Sequence, residues 1–189
     1  MNKIVIFASG SGTNAENIIQ HFKNTTIGTV VAVFTNNSKA FVIERVKKFH
    51  IPTEIFSKED LNSGKILQKL NDFEPDLIVL AGFLLKMPEN IIEFYPSKII
   101  NIHPALLPKY GGKGMYGMNV HKAIVENKEK ETGITIHYVN ENYDEGNIIF
   151  QKKVTVLISD TPEVVAEKIH ELEQNYFPSV IEEILNLKS

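Results

Sequence analysis

Lys3-Ile4-Val5-Ile6-Phe7-Ala8 reads as a strand whose Ile4–Ala8 run is apolar without a break, and Ser9-Gly10-Ser11-Gly12-Thr13-Asn14 follows it at once. Beyond that turn, Ala15, Ile18, Ile19 and Phe22 recur at i, i+3, i+4 and i+7, the spacing of one helical face. A strand that does not alternate is buried on both sides, as parallel strands under helices are. The opening therefore specifies strand, glycine-rich turn and helix, the repeating unit of an α/β fold. The pattern repeats. Thr29–Thr35 reads as a second strand, turned by Asn36-Asn37-Ser38. A helix over Ala40–Phe49 presents Val42, Val46 and Phe49 inward. Thr53–Phe56 is a short third strand, and Ser57 caps one further helix lined by Ile66, Leu67, Leu70 and Phe73. Leu77–Ala81 reads as the central strand, and Glu89–Phe94 as a short helix.

The fifth apolar run ends in polar chemistry: Ile99-Ile100-Asn101-Ile102-His103-Pro104-Ala105-Leu106-Leu107-Pro108. Asn101 and His103 alternate with Ile100 and Ile102, so both point to one face of the strand. Pro104 has no N–H to give and stops the ladder. The two side chains thus stand at a strand's carboxyl end, where open α/β sheets place ligands. Asn101 can donate to a developing oxyanion, and His103 can move a proton near neutral pH. After Pro108, four glycines fall between Lys109 and Asn119, which predicts a mobile loop. A helix over Val120–Asn127 follows. Thr132–Val139 then alternates as a strand, and Asn147–Val156 returns as its hairpin partner. The turn between them, Asn140–Gly146, carries Asp144. Thr161 and Pro162 open a last long helix, which Pro178 is expected to kink or break.

Composition narrows the class. A chain of 189 residues suits one domain that buries roughly 70% of its unfolded surface, so 1–189 is read as a single domain. Twenty basic and 23 acidic residues give a net charge of −3, which does not suggest nucleic acid as a partner. The absence of cysteine excludes disulfides, thiolate nucleophiles and Cys-based zinc sites. Ile4–Ala8 is too short for a signal-peptide core, and Leu77–Leu85, the longest apolar run, cannot span a bilayer. The expectation is a soluble cytoplasmic protein with small-molecule partners. The Gly10–Asn14 turn, with free N–H groups at a helix start, is either an anion site or a tight turn with an ordinary N-cap. It is not a Walker loop, because no Gly-Lys-Ser/Thr follows.

Asn-x-His-Pro-x-Leu-Leu-Pro closely resembles the signature of the folate-dependent formyltransferases, and the resemblance runs from Lys3 to about Pro178. It implies a Rossmann-like formyltransferase fold: a doubly wound, mainly parallel sheet with an antiparallel hairpin and a long terminal helix in the second half. It implies formyl transfer from 10-formyltetrahydrofolate, a co-substrate, to the amine of glycinamide ribonucleotide, with no metal. Onto matching positions it carries Asn101, His103 and Asp144 as catalytic residues. Gly10, Ser11, Gly12, Thr13 and Asn14 resemble the turn that holds the substrate phosphate. Leu84, Leu85, Lys86 and Met87, with Asn140 and Asp144, fall where the family holds folate. Lys58 lies near a basic residue over the phosphate, and Glu173 matches a residue that grips the glycinamide or ribose end. His137 matches a family histidine near the site, or is a hydrogen-bonded structural histidine. His170 stands where the family tends to have glutamine, Glu145 replaces a glycine, and the glycine-rich loop is longer than usual, so His121 receives no role.

Rival readings remain at this stage. A 10-formyltetrahydrofolate hydrolase would give the same formyl group to water, but resembling deformylases carry an extra N-terminal domain, whereas this chain starts on its first strand. A tRNA-formylating relative needs a C-terminal RNA-binding domain. A metal enzyme would use His103, His137 and Asp144. A nucleotide-binding module that has lost catalysis is the non-enzyme reading, disfavoured by Asn101, His103 and Asp144 occurring together. Either a monomer or a homodimer fits.

Overall fold

The computed structural model describes residues 1–187, which form two compact units. The first comprises Met1–Ile100 and the chain from Pro178 on; the second is Asn101–Phe177.

In the first unit, β1 (Asn2–Phe7) pairs in parallel with β2 (Gly28–Thr35) on one side and β4 (Leu77–Leu80) on the other, and β2 pairs in parallel with β3 (Thr53–Ile55). Ile6 stands level with Val33 of β2 and Val79 of β4. Ile4, Val5, Ile6 and Phe7 are fully buried, as an unalternating apolar strand must be. Phe7 stacks on Phe34 at 4.9 Å and meets Phe83 edge-on at 5.2 Å, so the rings of β1, β2 and the segment after β4 share one core. Helices α1 (Thr13–Phe22), α2 (Val42–Lys47), α3 (Lys58–Asn62), α4 (Lys65–Phe73) and α5 (Glu89–Phe94) connect the strands. Each strand-to-strand step needs such a crossover, because parallel strands cannot be joined by a tight turn.

Two local differences from the sequence reading have physical causes. The single helix expected after Ser57 is two helices. Ser57 caps α3 through a capping box with Asp60, and Gly64, at φ +85°, then breaks the path and caps α4. In the other difference, α2 is shorter than the expected helix, and Phe49, beyond its end, is only half-buried.

The second unit begins with the last residues of β5 (Ile99–His103), continues through the proline-rich turn and the glycine loop, and includes α6 (Met118–Glu126). β6 (Glu131–Tyr138) and β7 (Ile148–Thr155) form the expected antiparallel hairpin, with Ile134 opposite Lys152 and Ile136 opposite Phe150. Gly133 and Gly146 are required there, because a Cβ would run into the carbonyls of Lys152 and Tyr138. α7 (Pro162–Leu187) is one helix of 26 residues. Pro178, read as a site that kinks or breaks the helix, lies within it and does not end it. Its missing N–H costs one intrahelical bond, and Phe177, Val180, Ile181 and Leu185 bury enough apolar surface to outweigh that loss.

Candidate active site

The second unit gathers Asn101, His103, His137 and Asp144. Asn101 and His103 project from the end of β5, His137 from the end of β6, and Asp144 from the turn before β7. His103 and His137 are 3% and 2% exposed. Asp144 adopts φ +56°, a left-handed conformation that Asp and Asn tolerate best among residues with side chains.

The hydrogen bonds fix the proton positions. His103 Nε2 lies 2.7 Å from the Tyr110 carbonyl, which can only accept, so Nε2 carries a proton. His103 Nδ1 is left facing Asp144 Oδ2 at 3.5 Å, ion-pair range and longer than an ordinary hydrogen bond. His137 Nδ1 donates to its neighbour's carbonyl, that of Tyr138, at 2.8 Å. Its Nε2 therefore accepts from Asn101 Nδ2 at 3.2 Å in the neutral ring and stands 3.6 Å from Asp144 Oδ1. The backbone N–H of Gly112, in the glycine loop, donates to Asp144 Oδ2 at 2.9 Å. Asn101 keeps a second amide hydrogen for a ligand.

Burial pushes the His103 imidazole below the ordinary histidine range. The Asp144 carboxylate and the Tyr110 carbonyl pull it up but do not offset that loss of solvation, and the neighbouring His137 adds to it. Burial wins over the Asp144 carboxylate, so the resting ring is neutral and Nδ1 is a proton acceptor. Asp144 behaves in the opposite way. Burial pushes its carboxyl up, and the Gly112 N–H together with a proton on either histidine more than reverses this, so its pKa lies below the ordinary carboxylate range.

Thr135, fully buried on the His137 side of β6, escaped the sequence reading. Its hydroxyl donates to the Ala105 carbonyl at 2.7 Å and accepts from the Leu107 N–H at 3.0 Å and from Gln151 at 2.9 Å. It pins the segment that leaves His103, which includes the cis Leu107–Pro108 bond. The only signal was its i, i+2 relation to His137. His121, on α6, is 6% exposed with an unpartnered Nδ1, and burial lowers its pKa against the pull of Glu173. Glu173 lies on α7 with His170 at 3.8 Å. Asn140 accepts from the Asn142 N–H and shapes the turn that carries Asp144. Among the described residues, no group of three or more His, Asp or Glu side chains has the arrangement of a metal site.

The first unit holds the other predicted residues. Gly12 caps α1 at φ +75°, and a Cβ on it would stand 2.5 Å from Val42, so this glycine is needed for close helix packing. Gly10 and Ser11 are exposed, whereas Asn14 is buried. Ser9 accepts from the Leu84 N–H at 3.0 Å and donates to Asn36 at 2.6 Å, tying the turn after β1 to the loop after β4. In that loop Leu84 and Lys86 are exposed, Leu85 is half-buried and Met87 packs inside. Lys58 is exposed at the start of α3.

The formyl transferase family pattern matches residues 2–181. The chain belongs to the formyl transferase family. It is 36% identical over its whole length to a phosphoribosylglycinamide formyltransferase of Bacillus subtilis, spanning 97% of that protein. It is also 36% identical, over 95% of its length, to a chloroplastic phosphoribosylglycinamide formyltransferase of Arabidopsis thaliana, of which it spans 64%. The crystal structure of phosphoribosylglycinamide formyltransferase from Bacillus halodurans superposes with a TM-score of 0.89 at 34% identity, covering 99% of this chain and 97% of that one. The formyl transferase fold expected from the resemblance is thus the fold observed, mainly parallel with an antiparallel hairpin and a long terminal helix. No helix of the described residues is long and apolar enough to cross a membrane.

Proposed function

We propose that this formyl transferase moves the formyl group of 10-formyltetrahydrofolate to the amine of glycinamide ribonucleotide, a step of de novo purine biosynthesis in the cytoplasm. The observation that carries the reading is the geometry of the quartet: the Asp144 carboxylate 3.5 Å from the buried His103 ring and 3.6 Å from His137, beside the Asn101 amide with a spare donor. Residues 1–189 act as one formyltransferase domain, monomeric or homodimeric, with small molecules as its only partners and no metal. The Gly10–Asn14 turn takes the phosphate, with Lys58 near it. Leu84–Met87 and Asn140 serve the folate, and Glu173 serves the acceptor.

The acceptor amine attacks the formyl carbon, and the C=O π pair moves onto oxygen. The second amide hydrogen of Asn101 donates to that oxyanion, while His137 holds the amide in place. The attacking nitrogen is now cationic, and the leaving folate nitrogen needs a proton. The Asp144–His103 pair accepts one proton at His103 Nδ1, becoming an imidazolium–carboxylate pair, and returns it to the folate nitrogen as that C–N bond breaks. The C=O re-forms, leaving a formamide and tetrahydrofolate. No bond to the protein forms.

The test is to incubate the protein with 10-formyltetrahydrofolate, with and without glycinamide ribonucleotide, and follow loss of the formyl-folate. Deformylation only when the ribonucleotide is present is expected. Equal loss without it would establish the hydrolase instead, and no loss in either arm would mean a module without catalysis.

A further inference from the structure

We propose that Arg45 and Lys48 act as positioning residues for the acceptor by cancelling the charge of Glu16 behind the Gly10–Asn14 turn. The inference rests on the reading that this turn takes the substrate phosphate. Glu16 lies in the first turn of α1, and its side chain is only 14% exposed. Arg45 Nη1 bonds one carboxylate oxygen and Lys48 Nζ the other. Arg45 also donates through Nε to the Ser11 carbonyl at 2.8 Å, so its guanidinium sits directly under the turn. The Val42 N–H donates to the Gly10 carbonyl at 3.1 Å. α2 and the residues that follow it therefore occupy two carbonyls of the turn and both oxygens of its only acidic neighbour in α1.

The electrostatics decide what this arrangement does. A helix N-terminus offers an anion about half a positive charge. A bare carboxylate one turn inside would outweigh that and repel a phosphate. Two cations on one carboxylate leave the group at +1 and restore the attraction. The carboxylate does not escape by taking up a proton: the Lys48 contact holds its pKa down against burial, with help from Arg45. For Lys48 a purely stabilising role explains less, because that side chain is 55% exposed and an ion pair with so open a partner contributes little. The planar fork of Arg45 meets Ser11 and Glu16 through two different nitrogens, Nε and Nη1, in one fixed geometry.

Steady-state kinetics on the full chain test the proposal. Arg45→Met with Lys48→Met should raise the Michaelis constant for glycinamide ribonucleotide about tenfold, the scale of one to two unit charges near a protein surface, and less at high salt. Turnover and the folate Michaelis constant should stay near wild type. Adding Glu16→Gln to that pair should bring the ribonucleotide constant most of the way back. Absence of rescue would overturn the proposal, because a lost Ser11 contact cannot be repaired by neutralising Glu16. Should the double variant fold poorly, Lys48→Met alone touches an exposed side chain and should still raise the constant by about threefold; no rise would also overturn it. Ser11→Asp tests the underlying reading separately. An unchanged ribonucleotide constant there would remove the phosphate assignment and the inference with it, whereas a rise there without rescue by Glu16→Gln would remove the inference alone.

Discussion

Asp144→Asn removes one charge from the quartet while keeping its shape. Asn tolerates φ +56° as Asp does, and its carbonyl can still accept the Gly112 N–H, so the turn should survive. What is lost is the partner of the imidazolium that forms when His103 takes up a proton. Unit charges 3.5 Å apart attract by about 5 kcal/mol at the effective dielectric constant of roughly 20 that suits protein sites. At 1.4 kcal/mol per tenfold that is about three orders of magnitude, the upper part of the range for general acid–base groups. The expected result is turnover lowered by roughly a hundred- to a thousandfold. Glycinamide ribonucleotide affinity, measured by calorimetry, should change little, and the thermal midpoint should stay close to wild type. Turnover within about threefold of wild type would refute the proton-transfer role. A matching loss of affinity would reassign Asp144 to binding or to the loop.

Other outcomes follow from the same geometry. Asn101→Ala deletes the oxyanion donor and should cost turnover on the order of a hundredfold with substrate affinity kept; a change confined to affinity would contradict the donor role. His103 and Asp144 both have depressed folded pKa values, so both bind more protons unfolded than folded. Their stabilising contributions are present above the unfolded values, about 6.5 and 3.9, and are lost as pH falls through the lower folded ones. Stability from urea melts should therefore fall with acidification below about pH 6.5, and His103→Asn should flatten the upper part of that fall; an unchanged slope would count against the buried neutral histidine. The glycine loop is built of successive turns from Gly112 to Asn119 and reaches the site through its bond to Asp144. Protease cutting within Tyr110–Asn119 should slow when both substrate analogues are bound; an unchanged rate would leave a surface loop with no closing role.

The parallel strands were legible because burial on both faces writes itself as unbroken apolar runs, as in Ile4–Phe7 and Leu77–Leu80. The hairpin was legible from alternation in Thr132–Val139. Gly64 was not read as a helix boundary, since a lone glycine in a helical pattern is often tolerated. Pro178 was read as kinking or breaking the last helix, and it does not end it, because burial along α7 overrides local propensity. Asn101 and His103 were visible as a motif, but the protonation of the site was not. The direction of the His103 shift depends on how far solvent is removed around it, and no spacing of residues encodes that. The Asn101–His137 bond and the Thr135 anchor join residues 36 and 30 positions apart, and Arg45 reaches the turn from 34 positions away. Such long-range pairs carry no local signal in a single sequence.

The most direct test of the account follows the formyl carbon itself. The protein is given 10-formyltetrahydrofolate labelled with carbon-13 in the formyl group, together with glycinamide ribonucleotide, and the products are weighed by mass spectrometry. The account predicts that the label appears in a formylated ribonucleotide in equal amount to the tetrahydrofolate released, and that Asp144→Asn and Asn101→Ala slow both together. Label recovered as free formate, with the ribonucleotide unmodified, would contradict it.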